Sequence, residues 1–198
     1  MKVLKFSAPV LAFIGLYMLL NKLRFDDWRD PGYRYLQIRW QARILRWGLF
    51  NYHYLSRNLA VVLALLPWMT RAAPYVQISR HGLALWFTTP IYLILLWPKR
   101  WSYLFIGLML AAAGPLVFDL LYQNSGWRQF GYRFSNDYSI LLFVAIAASG
   151  RRFGKRFWIA AAWAILWNTF GAISFDRGPP WDKFYWREGT QKILYQDD

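Results

Sequence analysis

The sequence predicts an all-α fold: a polytopic membrane helical bundle of about six transmembrane helices plus an interfacial amphipathic helix. Three observations predict it. Hydrophobic residues make up 57% of the 198-residue chain, above the roughly 45–50% of soluble domains counted more loosely with Gly included. A water-soluble core of this size has no use for so much apolar surface, nor for thirteen Trp, so lipid is read as part of the solvent. Finally, Lys and Arg fall in short clusters between apolar runs, as in "WPKRW" at 97–101 and "GRRFGKRF" at 150–157, the pattern of loops joining membrane helices.

Six runs approach the ~20 residues that a spanning helix needs: residues 3–20, 52–69, 83–98, 102–122, 137–149 and 157–174. The first follows Lys2 and Lys5, as a signal peptide would, but it ends in "YMLLNKLRF" without a small-x-small cleavage site. It is therefore read as an uncleaved first transmembrane helix, residues 1–22. Residues 23–51 form a basic loop. There Leu36, Trp40, Ile44 and Trp47 recur at helical spacing while Arg39, Arg43 and Arg46 line another face, which predicts an amphipathic helix at an anionic leaflet, or one packed on the bundle with its basic face solvated.

Residues 52–175 are read as a five-helix membrane region. Its first run reaches spanning length only with Tyr54, Ser56 and Arg57, where the arginine snorkels to the interface. Its fourth run, 137–149, is short unless "FSNDY" supplies a polar first turn. The outward tail, 176–198, starts stiffly at Pro179 and Pro180.

Fourteen of the 24 Lys and Arg, from Lys22 to Arg57, Lys99–Arg100 and Arg151–Arg156, fall on one side of this arrangement. The positive-inside tendency makes that side cytoplasmic and turns the 123–136 loop, the 71–82 loop and the tail outward, in a bacterial inner (plasma) membrane. It also puts the amino terminus outside, against the preference of Lys2 and Lys5, as expected of the later part of a longer membrane protein.

The net charge of +14 does not make a nucleic-acid partner, because the basic residues punctuate apolar runs instead of lining one surface. With no Cys, disulfides, thiolate metal sites and cysteine nucleophiles are excluded. His53 and His81 have no metal-ligand spacing; no metal and no cofactor is expected.

"NSGWRQFGYRFSNDYSILLFVAIA", preceded by "FDLLYQ", together with "GLFNYHYLSRNLAVVLALLPW" and "HGLALWFTTPIYLILLWPKRW", resembles the carboxyl-terminal membrane region of bacterial GT-C type glycosyltransferases, a superfamily including the protein mannosyltransferases, and related uncharacterised multi-pass membrane proteins. The resemblance covers residues 45–175. It implies transfer of a sugar from a polyprenyl-phosphate carrier, with an acidic residue of an early outward loop as base or metal partner and membrane-surface arginines on the carrier phosphate. The early acidic loop has no outward counterpart here. Asp26 and Asp27 imitate its position beside Arg24 and Arg29, where a solvated salt-bridge cluster is the favoured reading. The catalytic residue is thus unassigned, and the chain is expected to need an upstream half or a partner membrane protein supplying it.

The candidate site is the loop "GWRQFGYRFSNDY", 126–138. One reading has Arg128 and Arg133 hold a lipid phosphate while Trp127, Phe130, Tyr132 and Tyr138 seat the loop at headgroup depth or stack on a sugar; the other is an aromatic belt with arginines on ordinary phospholipid. Asn136 and Asp137 are expected to start the following helix, with Asp137 a weaker candidate base. Asp119, ionisable within an apolar run, is either functional, or paired with Arg128 or Arg133, or capped by nearby polar groups. Two other classes compete: a non-catalytic membrane subunit or scaffold that binds lipid phosphate, and, with less support from these mostly apolar runs, a transporter, for which Asn168 and Thr169 are modest polar exceptions and Pro67, Pro90 and Pro115 potential bends.

Overall fold

The computed structural model describes residues 2–38 and 40–185. The described residues divide into two compact units, those up to Leu49 and those from Phe50 to Tyr185.

In the first unit, α1 (Lys2–Phe25) is a 24-residue helix whose Phe6, Phe13 and Leu16 stay exposed, as a lipid-facing helix requires. The acidic residues that follow are satisfied locally. Asp26 pairs with Lys22, and Asp27 accepts the Arg29 N–H at 2.8 Å, a bond that holds the Asp27 carboxyl below its ordinary range. The buried Asp30 accepts from the Gly32 N–H at 2.8 Å and pairs with Arg34 at 3.0 Å. The amphipathic helix is shorter than its sequence period: α2 spans only Gln41–Trp47. Leu36 lies before it in extended backbone, and Gly48 at φ 77° ends it, a conformation that glycine adopts without Cβ strain. Only Ile44 is buried on this helix, and Arg46 lies 5.0 Å over the Trp47 ring.

The second unit is mostly helical. It begins with α3 (Leu55–Leu59), extended by a wide turn over Ala60–Ala64, and a two-stranded antiparallel hairpin, β1 (Trp68–Met69) and β2 (Val76–Gln77). Then come α4 (Leu85–Thr88), a 3-10 segment Pro90–Leu96, α5 (Tyr103–Leu121), α6 (Asn136–Ala148) and α7 (Lys155–Ser174). Among the described residues, three helices are long and apolar enough to cross a membrane: α1, α5 and α7. The 13 residues of α6 reach only ~20 Å at 1.5 Å per residue, short of a ~30 Å hydrocarbon layer.

The runs 52–69 and 83–98 are not continuous helices, and proline accounts for both. Leu65 turns extended at ψ 111° two residues before Pro67, and the hairpin takes over. Pro90 lacks an N–H and disfavours helical backbone at the residue before it; α4 accordingly stops at Thr89, with φ −140° and ψ 69°. The carbonyls freed by that break find donors on α7: Trp163 Nε1 donates to Phe87 O at 2.7 Å and Asn168 Nδ2 to Thr88 O at 2.9 Å.

α5 and α6 run antiparallel, because the backbone N–H groups of Lys99 and Arg100 donate to Ser149 O at 2.9 and 3.0 Å, bringing the start of one to the end of the other. Arg151 donates to Trp97 O at the same end, so the two basic loops lie side by side. The main apolar cluster between these helices includes Ile91, Phe105, Ala112, Leu142 and Ile146.

The far end of α5 is closed by α3. Asn58, fully buried, donates through Nδ2 to Asp119 O at 3.2 Å, Leu120 O at 2.9 Å and Tyr122 O at 2.8 Å. Its neighbour Arg57, also buried, donates to Gln123 O at 2.6 Å. The last carbonyls of a helix have no partner within it, so one amide here replaces a missing turn. The described part of the tail packs on protein: Tyr185 is buried, shares a 2.6 Å hydrogen bond with Ser174 Oγ, and bridges Ile78. The remainder, 186–198, lies outside the described residues.

Replacing Asn58 with Leu removes all three closing bonds while keeping side-chain size. Unfolding in detergent followed by circular dichroism is expected to show a loss on the order of 2–3 kcal/mol, whereas Tyr103→Phe, at an exposed site, leaves stability unchanged.

Candidate functional site

The loop 122–135, the 78–82 turn and the segment after α7 meet at the end of the second unit opposite the two basic loops. Gln129 ties them together. Its backbone N–H donates to Arg80 O at 2.9 Å; its Nε2 donates to His81 O at 2.6 Å and Ser125 O at 2.7 Å, and its Oε1 accepts the Arg133 N–H at 2.9 Å. Asn124 Oδ1 turns the chain ahead of it, accepting from the Gly126 and Trp127 N–H groups at 2.8 and 3.0 Å. Gly82, at φ 103°, passes so close that a Cβ would stand 2.7 Å from Gly131 O.

His81 belongs to this framework. Its Nδ1 shares a 2.8 Å hydrogen bond with Ser125 Oγ, and its ring lies 4.7 Å from that of Trp127. Burial, and then the neighbouring Arg57 guanidinium, push its imidazole down to about 4, so the ring is neutral at pH 7. Its bonds are those of a structural histidine.

Beside this framework lies an open groove of about 880 Å³. Arg128, Arg133 and Arg177 line it at the loop end. Ile91, Phe143, Ala161 and Ile165 form an apolar wall running back along α6 and α7; from Phe175 to Ala161 the α7 side extends ~20 Å at 1.5 Å per residue. Asn168, Thr88, Ser135 and Asn136 are its polar interruptions. Phe130 forms part of the wall, its ring against Trp167 and Phe170. Gly171 admits that ring, since a Cβ on it would overlap Phe130.

The arginines differ in their pairing. Arg128 is bound by Asp176, just after α7. Arg133 lies 5.5 Å over the Phe134 ring, and neither it nor Arg177 pairs with a carboxylate of the described residues.

Of the residues singled out from sequence, the groove unites Arg128, Arg133, Tyr132, Phe130 and Asn136. Tyr132 is buried among Val61, Val62 and Leu65; burial, and then the Asp119 carboxylate, push its hydroxyl above the ordinary range. Trp127 turns to His81 and is not part of the groove lining. Asp119 and Asp137 do not line it either. Asp119 pairs with neither Arg128 nor Arg133; Asp176 holds the former. Neither Asn136 nor Asp137 makes a side-chain bond at the start of α6; Ser135 precedes the helix, with its hydroxyl turned back to Tyr132 O at 2.6 Å. Arg177, Asp176 and Asn168 complete the arrangement. The sequence signal for the first two is a charged pair directly after an apolar run, at the start of the tail.

No family model, curated protein or solved structure matches the chain. The groove therefore has to be interpreted from its own chemistry. An open, apolar-walled trough ending in three guanidiniums suits an amphiphile with an anionic head: the wall takes hydrocarbon, and arginine matches phosphate through paired N–H donors.

Two outcomes follow for the framework. Gln129→Ala, which strands two carbonyls and an N–H, is expected to cost on the order of 3 kcal/mol in detergent unfolding. His81 binds its proton more weakly folded, near 4, than unfolded, near 6.5, so the unfolded state holds more protons between those values and stability falls as pH drops through that window. His81→Gln is expected to flatten that part of a melting-temperature profile against pH.

Proposed function

We propose that this chain is a multi-pass inner-membrane protein that holds a phosphate-bearing lipid in the groove beside α6 and α7, with the phosphate at Arg133, Arg128 and Arg177 and the hydrocarbon along the apolar wall. The observation that carries the reading is the coincidence of three arginines with a ~20 Å apolar wall on one trough. An aromatic belt places rings and cations at headgroup level, but it needs no trough.

The lipid fits a polyprenyl-phosphate carrier, and the resemblance to GT-C type glycosyltransferases over residues 45–175 supports that choice. On this reading the chain is the membrane-embedded carboxyl-terminal part of a glycosyltransferase that uses a polyprenyl-phosphate sugar. Transfer to a hydroxyl needs a group to take its proton, and a positioned carboxylate serves. Among the described residues no carboxylate lines the groove, so the base comes from an upstream half or a partner membrane protein. The same lining supports a second reading, a non-catalytic subunit or scaffold that presents the lipid.

With the Lys99–Arg100 and Arg151–Arg156 loops cytoplasmic, the groove's arginine end faces outward. The absence of Cys makes this testable with a membrane-impermeant maleimide: Asp182→Cys is expected to label in intact cells and Lys99→Cys only after permeabilisation. The reverse pattern inverts the topology.

Arg133→Ala is expected to weaken binding of dioleoyl phosphatidic acid to the purified chain about tenfold, the equivalent of one lost charge-assisted contact of ~1.4 kcal/mol, with membrane insertion unchanged. Native mass spectrometry reads the bound lipid, and unaltered occupancy would refute the groove as the phosphate site. Affinity purification from native membranes separates the enzyme part from the scaffold: a co-purifying chain with an outward acidic loop, and sugar transfer by the pair, identifies the former.

A further inference from the structure

The arginine end of the groove is not uniformly basic, and its imbalance has a chemical consequence. Arg128, Arg133 and Arg177 supply three positive charges, and Asp176 returns one negative charge by pairing with Arg128. Both members of that pair are partly exposed, and Asp176 adjoins the groove-lining Arg177 in sequence. The two arginines without a carboxylate partner among the described residues, Arg133 on the loop and Arg177 after α7, line the same groove as Arg128.

Among the described residues the net surplus is two positive charges. A phosphate carried as a diester, as in most phospholipids, bears one negative charge and two free oxygens. A terminal monoester bears close to two charges at neutral pH and three strong acceptor oxygens. Two arginines from different segments can each give a planar pair of N–H donors to separate edges of such a phosphate, and only the monoester has the charge and oxygens to occupy both.

Resting on the lipid-phosphate reading above, we propose that the groove selects lipids ending in a phosphomonoester over lipids whose phosphate is a diester, and that Arg177 and Asp176 set this selectivity in opposite directions. Arg177 supplies the second clamp. Asp176 holds Arg128 back and repels the incoming phosphate. Coulomb energy scales with the product of charges, so any change of one unit at this rim alters monoester binding about twice as much as diester binding.

The test uses the full chain purified in mild detergent, with lipid occupancy read by native mass spectrometry. The probes are dioleoyl phosphatidic acid, a monoester, and dioleoyl phosphatidylglycerol, a diester with identical tails, with inorganic phosphate as competitor. The native chain is expected to favour the monoester by about tenfold, ~1.4 kcal/mol. Arg177→Ala is expected to bring that ratio to within about threefold of unity, and Asp176→Asn to raise it while strengthening both lipids. The conservative Arg177→Lys, which keeps charge but loses the planar fork, restores part of the ratio.

Equal binding of the two lipids by the native chain, or a ratio that Arg177→Ala and Asp176→Asn leave alone, overturns the proposal. Displacement by inorganic phosphate at the lipid's own concentration overturns it in favour of a free-phosphate site. Arg133→Ala distinguishes the two levels of failure. If it weakens both lipids while the native ratio is one, the groove binds lipid phosphate without discrimination; if it weakens neither, the lipid-phosphate reading falls as well.

Discussion

Satisfying backbone carbonyls where helices stop short is the constraint on which the second unit depends. In an apolar medium an unpaired carbonyl finds no water, and its cost is large enough to exclude irregular backbone unless protein covers it. The chain nevertheless breaks its helix at Thr89–Pro90 and ends α5 at Leu121. Each break is met by a side-chain donor from another element. Trp163 and Asn168 reach the carbonyls of Phe87 and Thr88, and Asn58 serves three carbonyls at the end of α5. Gln129, on the loop that carries the arginines, serves the carbonyls of His81 in the facing turn and of Ser125 in its own loop.

These donors also place the site. The bond from Asn168 to the break after α4 holds α7 against the segment that contributes Thr88 and Ile91 to the groove. Gln129 fixes the loop between Arg128 and Arg133, so both guanidiniums arise from a frame anchored to the 78–82 turn. Gly171 lets Phe130 approach α7 and close one side of the wall. The groove is thus the space left beside a broken helix whose broken ends have been tied down.

How much of this was legible in the sequence follows from the range of each signal. Hydrophobic length is local, and it correctly marked α1, α5 and α7 as helices able to cross a membrane. It overstated the runs 52–69 and 83–98, because an apolar average takes no account of whether Pro67 and Pro90 leave a helix intact. The period through Leu36, Trp40 and Ile44 was real as a pattern, but only Gln41–Trp47 is helical. At the site, the loop 126–138 stood out by composition, and Arg128, Arg133 and Tyr132 do share a groove. Arg177 lies 44 residues beyond Arg133 in the chain numbering, and nothing local reveals that α7 returns it to that loop. Asp119 stood out as an ionisable group in an apolar run and Asp137 as a helix-start residue, but sequence position does not say which side chains face a groove, and neither lines it.

On the proposed transferase reading, the surplus of two positive charges among the described residues of the rim also bears on where in the reaction this chain would act. A polyprenyl-phosphate sugar carries its phosphate as a diester; once the sugar has left, the remaining carrier is a monoester with greater charge. If the groove takes such a carrier, as proposed, Arg133 and Arg177, unpaired by carboxylates among the described residues, would match it better after transfer than before it. Binding that strengthens as charge develops on the departing phosphate favours the transition state over the bound donor. On the proposed transferase reading, arginines placed for that charge would contribute to transfer without supplying a base, consistent with a groove whose described lining holds no carboxylate. On that reading the stronger grip on the product would be the corresponding cost, and Asp176, which pairs with Arg128, would moderate it by keeping that arginine engaged. A fully unpaired trio of arginines would hold the spent carrier more tightly and slow its release.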